Sequence, residues 1–559
     1  MDIRDEYLRW TEKTKDLPEL HEELTAIADD PAAIKDRFCR SLAFGTGGLR
    51  GVLGAGTNRM NVYTVAQATQ GLCGYLKKHA QLNQKAVIAY DSRINSRLFA
   101  ETAAEVLAAN GIEARLFPRL APTPLLSFAV RELDCGAGIC VTASHNPAEY
   151  NGYKVYGPDG CQITVDAAAA IQKEIDSVDV LTGPARMKAD EAEKAGLLHT
   201  VEEAVFDRYI ARVTEQKMPE RGEPAALRVV YTPLNGAGRE CVLRILKSIG
   251  VDDVTLVPSQ EMPDGRFPTC PYPNPEEREA LAEGLKSCGQ CRPDLLLATD
   301  PDCDRVGTAV EDNGAYRLIS GNEMGVLLFD YICRMRTGAG TMPERPVAIT
   351  TVVSADMADA VAAKYGVELR RTLTGFKFIG EQIGFLERSG EKERFIFGFE
   401  ESYGYLSGTH ARDKDAVNAS MLICQAARYY KGKGMTLGQA VDALYAEYGH
   451  YRSKLLSFSF GGADGMERMK EIMGRLRCSP PEDIAGEPVS YVKDYMLGRG
   501  GLPKSDVLEF DLGESGKAVI RPSGTEPKLK LYLFAHMPTA DEADKALARF
   551  ERACGAMLT

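Results

Sequence analysis

The chain has 559 residues, 44% of them hydrophobic and 26% charged, a balance that fits a globular protein of several domains, each able to bury its own core. Its formal net charge of −12 argues against nonspecific nucleic-acid binding, which draws on clustered Lys and Arg. The opening stretch MDIRDEYLRWTEKTKDLPEL lacks the apolar core of a secretory signal, and no apolar run is long enough to span a bilayer, so a cytoplasmic protein with no membrane or nucleic-acid partner is expected. Fourteen cysteines are scattered, many inside apolar segments such as those around Cys140 and Cys424, and read as buried small hydrophobes of a reducing compartment. Cys288-Gly-Gln-Cys291 has the spacing of half a zinc or redox site, but no second pair lies near it and it reads as incidental.

In chain order, one grammar recurs three times and each time delivers a polar loop. Residues 85–90 read as a strand, 96–109 as an amphipathic helix, 113–117 as a strand, and 136–142 as a strand ending just before Ser144. The second stretch runs from a strand at 227–231 through helices at 239–249 and 275–286 to a strand before Asp300. The third runs from a strand at 347–353 through helices at 355–365 and 376–388 to a strand at 394–397, before Glu400. Such alternation implies α/β sheets with helices on both faces. The last part differs: 507–510, 517–520 and 528–534 read as neighbouring strands and 540–556 as a closing helix, a smaller α+β domain. Joints such as Thr182-Gly-Pro184, 219–224 and Gly432-Lys-Gly434 suggest domains at 1–205, 206–315, 316–445 and 446–559.

The loops carry the chemistry. Val141-Thr-Ala-Ser-His-Asn-Pro147 followed by Tyr150-Asn-Gly-Tyr-Lys154 sets Ser144 and Lys154 in what reads as one exposed turn, a nucleophile with a base nearby, broken from the strand by Asn146-Pro147 and Asn151-Gly152. Strand carboxyl ends are where open α/β sheets bind ligands. The plain alternatives are a turn-forming Ser144, a surface His145 and a solvated Lys154. Asp300, Asp302 and Asp304 alternate directly after an apolar run, which in a tight loop turns hard oxygens toward one point and suits Mg²⁺. An EF-hand fails because Arg305 stands where the sharp turn requires Gly and the flank is strand-like; a solvated acidic loop is the other alternative. Gly398-Phe-Glu-Glu-Ser-Tyr-Gly404 offers acceptors and a hydroxyl to sugar hydroxyls, or caps a helix. The segment from Ala518 to Lys528 offers arginine, hydroxyls, backbone amides and lysine to an anionic phosphate, or is an ordinary hairpin.

Taken together, Phe44-Gly-Thr-Gly-Gly-Leu-Arg-Gly51, Thr142-Ala-Ser-His-Asn-Pro147, Asp300-Pro-Asp-Cys-Asp-Arg305, Gly398-Phe-Glu-Glu-Ser-Tyr-Gly404 and Arg521-Pro-Ser-Gly-Thr-Glu-Pro527, in that order across nearly the whole chain, resemble the α-D-phosphohexomutases. Within that family the serine motif, the Glu-Glu-Ser form and Thr374-Gly-Phe-Lys377 look like the glucose-preferring branch, and the long chain with Thr232-Pro-Leu-Asn-Gly236 looks most like the larger bacterial members and their phosphopentomutase relatives. The resemblance implies four domains around a central cleft. It further implies interconversion of glucose 1-phosphate and glucose 6-phosphate through a phosphorylated Ser144 and a glucose 1,6-bisphosphate intermediate. Phosphopentomutase, phosphomannomutase and bisphosphate synthesis share this machinery; a non-catalytic sugar-phosphate binder is a further alternative, and a serine hydrolase lacks its G-x-S-x-G elbow here.

By the same resemblance, Mg²⁺ would be held by Asp300, Asp302, Asp304 and the Ser144 phosphate. Lys154 is the first choice of general base, with His145 and Lys414 as alternatives, provided burial or positive charge lowers the lysine's pKa. Arg50 and Arg305 would stabilise the transferring phosphoryl group. Thr374, Gly375, Glu400 and Ser402 would hold the sugar, and Arg521, Ser523, Gly524, Thr525 and Lys528 the distal phosphate. Small sugar phosphates are the expected partners, with a monomer or homodimer as the assembly.

Overall fold

The computed structural model describes residues 2–45, 47–220, 222–460, 465–498, 502–523 and 528–558. The first sheet comprises β1 (Leu49–Val52), β2 (Lys85–Tyr90), β3 (Glu113–Leu116), β4 (Ala137–Val141), β5 (Tyr150–Tyr156) and β6 (Leu198–Thr200), in the order β1-β5-β4-β2-β3-β6. The second comprises β7 (Arg228–Thr232), β8 (Asp253–Leu256), β9 (Leu295–Thr299), β10 (Val306–Asp312) and β11 (Ala315–Ile319), in the order β11-β10-β9-β7-β8. The third comprises β12 (Val347–Thr351), β13 (Glu368–Thr372), β14 (Phe395–Glu400) and β15 (Gly404–Leu406), in the order β13-β12-β14-β15.

All three share one core. A first strand pairs in parallel with two neighbours, and the later of these turns back antiparallel: β2 with β3 and β4, then β4 with β5; β7 with β8 and β9, then β9 with β10; β12 with β13 and β14, then β14 with β15. The strands β4, β9 and β14 are therefore equivalent, and Ser144, the Asp300–Asp304 loop and Glu400–Ser402 leave equivalent strand ends. These strands are buried along their whole length, which is why they are continuous apolar runs rather than alternating ones.

The C-terminal part is a different sheet, β16 (His450–Ser459), β19 (Tyr491–Asp494), β20 (Leu508–Asp511), β21 (Gly516–Pro522) and β22 (Lys528–Met537), antiparallel in the order β16-β22-β21-β20-β19. A two-residue pair, β17 (Asp483–Ile484) with β18 (Glu487–Pro488), stands beside it. Helices Gly465–Cys478 and Ala540–Leu558 share its core, where Met469, Met473, Phe550 and Cys554 meet Leu508, Leu529 and Leu531. Between the layers, helix Ala416–Lys431 is buried on almost every side, as an element packed on all faces must be.

Two expectations require correction. Asn151-Gly152 is not a turn but lies inside β5, between β1 and β4. A Cβ on Gly152 would stand 2.5 Å from the Thr142 carbonyl oxygen and 2.9 Å from that of Leu49, so the glycine admits two close backbones rather than reversing the chain. The helix expected at 275–286 instead spans Ala282–Cys291, because Asn274 Oδ1 accepts the Glu276 N–H at 3.2 Å and holds the preceding segment in turns. The ten-residue β16 pairs along its length with β22 but reads as polar in sequence because one of its faces is largely exposed. All fourteen cysteines are free, eleven of them buried. Among the described residues no helix is long and apolar enough to cross a membrane.

Candidate active site

β4 carries the chain into Thr142-Ala-Ser144, where the Ser144 N–H donates to Thr142 Oγ1 at 2.7 Å. Ser144 adopts φ +54°, a left-handed conformation that non-glycine residues rarely hold unless their surroundings fix it. Its Oγ donates to Asp300 Oδ2 at 2.9 Å and lies 3.1 Å from His145 Nδ1. The expectation of an exposed turn is wrong for both key residues: Ser144 is 4% and Lys154 6% exposed. Lys154 lies within β5 opposite Cys140, and the Asp300 loop, arriving from the second sheet, shields both side chains.

That loop is closed on itself, with the N–H groups of Asp304 and Arg305 both donating to Asp300 Oδ1 at 3.0 Å. Oxygens of Asp300, Asp302 and Asp304 lie within 4.8 Å of one another, and all three residues are buried. Two cations from other parts of the chain reach them. Lys154 Nζ donates to Asp302 Oδ2 at 2.8 Å and lies 3.8 Å from Asp304; Lys414 Nζ lies 3.1 Å from Asp304 Oδ2 and 3.0 Å from Asp413. Three sheets thus contribute charge to one point.

The protonation of these groups follows from their neighbours. Burial and the adjacent carboxylates push Asp300 well above the ordinary carboxylate range, and burial with Asp302 raises Asp304. Burial acts on Asp302 in the same sense, but the Lys154 ammonium outweighs it and holds this carboxyl low. Burial alone would lower Lys154 and Lys414; instead Asp302 and Asp304 hold Lys154, and Asp304, Asp413 and Glu400 hold Lys414, above the usual lysine value. Both are therefore ammonium ions, and the lowering expected of a basic Lys154 is absent. His145 is the reverse: burial, Arg305 and Arg50 push its imidazole well below the usual value, so it is neutral. The donor set suits a hard divalent cation, since Asp302 Oδ1 and Asp304 Oδ1 are buried without a hydrogen-bond partner, a costly arrangement unless a ligand fills it.

A cleft of about 1230 Å³ opens beside this cluster. It is lined by Arg50, His145 and Arg305, by Thr374, Gly375, Glu400, Ser402 and Lys414, and by Arg521, Ser523 and Lys528. Gly524 and Thr525 lie outside the described residues. Glu400, ending β14, accepts the Gly375 N–H at 2.8 Å, which ties the Thr374 loop to the Glu400 loop; Gly375 has φ +120°, a conformation reserved for glycine. Ser523 N–H donates to the Lys528 carbonyl at 2.7 Å, closing the base of the last loop, and Arg521 Nε is buried without a partner, as befits a site for an anion.

Several contributors escaped the sequence reading. Thr123 Oγ1 donates to Asp302 Oδ2 at 3.0 Å, Glu276 pairs with Arg305, and Tyr272 meets the His145 ring edge-on at 6.0 Å. Only Asp413 carried a signal, standing next to Lys414 in a charged run after β15.

Four models described as phosphoglucomutase/phosphomannomutase match the chain in order: alpha/beta/alpha domain I at residues 41–181, domain II at 207–314, domain III at 320–448 and the C-terminal domain at 484–552. The chain belongs to the phosphoglucomutase/phosphomannomutase family. It is 36% identical over 529 residues to the phosphoglucomutase of Staphylococcus haemolyticus strain JCSC1435, covering 92% of this chain and 94% of that relative. The phosphoglucomutase pp63/parafusin of Paramecium, in an open form, shares the fold with a TM-score of 0.65 at 16% identity, over 93% of this chain and 95% of that one. The N-acetylphosphoglucosamine mutase of Aspergillus fumigatus, solved with GlcNAc-6P and magnesium, does so with a TM-score of 0.51 at 16% identity, over 96% and 99%. Membership gives the four-domain architecture and the enzyme class, an isomerase that transfers a phosphoryl group within a sugar phosphate.

Proposed function

We propose that this phosphohexomutase interconverts glucose 1-phosphate and glucose 6-phosphate through a phosphorylated Ser144 and a glucose 1,6-bisphosphate intermediate. The observation that carries the reading is the buried Ser144 Oγ, 2.9 Å from one carboxylate of a three-aspartate cluster, beside a cleft whose lining includes Arg521, Ser523 and Lys528. Asp300, Asp302, Asp304 and a phosphate oxygen on Ser144 would hold Mg²⁺, which when bound offsets phosphate charge and polarises the phosphorus.

The sugar hydroxyl attacks the phosphorus on Ser144, the P–Oγ bond breaks, and the proton given up by the hydroxyl returns to Oγ from His145, whose Nδ1 lies 3.1 Å away. Of the three candidate bases, His145 is the neutral one and takes the hydroxyl proton; Lys154, Lys414, Arg305 and Arg50 oppose the charge that accumulates on the phosphoryl oxygens. The bisphosphate then turns over, and the other phosphate returns to Ser144. Glu400 and Ser402, with Thr374 and Gly375, grip the sugar hydroxyls in both orientations, while the Arg521 to Lys528 loop holds whichever phosphate is not reacting. A cytoplasmic location belongs to the same reading, since cysteines buried as small core residues fit a reducing compartment.

Rates on glucose, mannose and ribose 1-phosphates measured in parallel with Mg²⁺ test the substrate assignment. Glucose 1-phosphate should give the highest kcat/KM; a higher value for the pentose would reassign the enzyme as a phosphopentomutase. The two-ended site makes a second expectation. Losing a charged hydrogen bond costs about 1.5–3 kcal/mol, so Arg521→Ala should lower kcat/KM roughly tenfold or more for glucose 1-phosphate and glucose 6-phosphate alike. A loss confined to one of them would mean that this loop reads only one end of the bisphosphate.

A further inference from the structure

We propose that Arg93 is the positioning residue of the phosphate-carrying loop, its guanidinium fixing the backbone at Ser144 by binding four carbonyl oxygens of residues 144–150 at once. The inference rests on the reading of Ser144 as the phosphate carrier. β2 lies beside β4 in the sheet and leads directly into Asp91-Ser-Arg93, so Arg93 enters the serine loop from the neighbouring strand. One terminal nitrogen donates to the carbonyls of Pro147 at 2.8 Å and Tyr150 at 2.9 Å; the other donates to those of Ser144 at 2.7 Å and of Asn146. The side chain has no solvent exposure, and its counter-charge, the equally buried Asp91, stands 3.4 Å from Nε.

A second part of the chain closes over this arrangement. The Phe267 ring covers the guanidinium at 5.1 Å, and Gly265 forms a backbone bridge with Arg93. A Cβ on Gly265 would stand 2.5 Å from Ile94 N and 2.6 Å from the Ser92 carbonyl oxygen, so a glycine is needed for the two segments to meet. The segment that holds Arg93 from above therefore comes from the region of the second sheet, the same region that supplies the three aspartates. Arg93 thus ties the serine to the part of the chain that must face it.

The need for such a clamp lies in the backbone of Ser144. Its left-handed φ persists only if the surroundings over-determine it, and four carbonyls converging on one planar cation do so. Lysine cannot substitute, because it offers three donors at one point and no fork. Arg93 is not placed against the sugar, so its loss should appear as a misplaced Oγ and not as weaker binding; a displacement of about 1 Å costs on the order of 10²-fold in rate.

The test uses the full-length enzyme with Mg²⁺ and compares the parent with Arg93→Lys and Arg93→Ala. The readouts are kcat and KM for glucose 1-phosphate, thermal midpoint, and phosphate on Ser144 by peptide mass. Arg93→Lys should fold, lose on the order of 10²-fold in kcat, and keep KM within about threefold of the parent. Guanidinium ion at non-denaturing concentration should restore part of the rate of Arg93→Ala and none of that of Arg93→Lys. A folded variant with kcat within about twofold of the parent, or a loss carried by KM, overturns the proposal; if Arg93→Ala does not fold, the lysine variant decides. A parent enzyme that turns over with no phosphate on Ser144 brings down the underlying reading instead, independently of what either variant does.

Discussion

Ser144→Ala enzyme is expected to fold as the parent does and to lose turnover by on the order of 10⁴-fold or more, the scale of removing a covalent nucleophile. The substitution removes one hydroxyl and its 2.9 Å hydrogen bond to the buried Asp300, a stability cost of about 1–3 kcal/mol because the carboxyl oxygen loses its partner. It leaves the backbone bond from residue 144 to Thr142 Oγ1 in place, and alanine meets the same left-handed backbone as serine does, so the strain at this position is nearly unchanged. Activity on glucose 1-phosphate and the thermal midpoint, measured on one preparation, separate the two effects. A well-folded variant retaining more than about a hundredth of the parental rate would show that phosphate travels by another residue.

Asp302→Asn should cost on the order of 10³-fold in kcat, the scale of losing a preorganised electrostatic group, and some stability as well, because the buried Lys154 ammonium loses its nearest counter-charge. The asparagine carbonyl can still accept from Lys154 and Thr123, the two bonds that Asp302 Oδ2 receives at 2.8 and 3.0 Å. What it cannot supply is the negative charge and the second, partnerless oxygen at Oδ1. Calorimetric titration of the full-length variant with Mg²⁺ provides a readout besides activity: saturable binding seen with the parent should weaken beyond detection. Unchanged binding and unchanged rate would show that the acidic loop serves the fold and not a cation.

Much of this was legible in the sequence, for a physical reason. Buried parallel strands must be continuous apolar runs, so the strands at 85–90, 137–141, 295–299 and 347–351 stand out, and the polar residues that follow them are exceptional enough to draw attention. Of the five motifs that identified the family, the serine and aspartate motifs directly follow two of those strands, at 137–141 and 295–299. Elements with mixed exposure were harder: β16 was not foreseen, because its partly exposed residues hide a strand whose whole length is paired with β22. Asn151-Gly152 misled because the dipeptide that favours a turn also allows close strand approach. The partners of the site residues were less visible still. Glu276 and Thr123 are far in sequence from Arg305 and Asp302, and nothing local in their surroundings predicts the contact. Nor could spacing tell that Lys154 would be held as an ammonium, since that follows from Asp302 and Asp304 arriving from another sheet.

The most direct test of the central claim is a single-turnover chase. Enzyme carrying labelled phosphate is mixed with excess unlabelled glucose 6-phosphate and Mg²⁺, quenched over time, and both the Ser144 peptide and the sugar products are followed. The label should leave Ser144 and appear first in glucose 1,6-bisphosphate, at a rate at least equal to kcat, before it spreads to the monophosphates. Label that stays on Ser144 through many turnovers, or that starts on a different peptide, would contradict transfer through this serine.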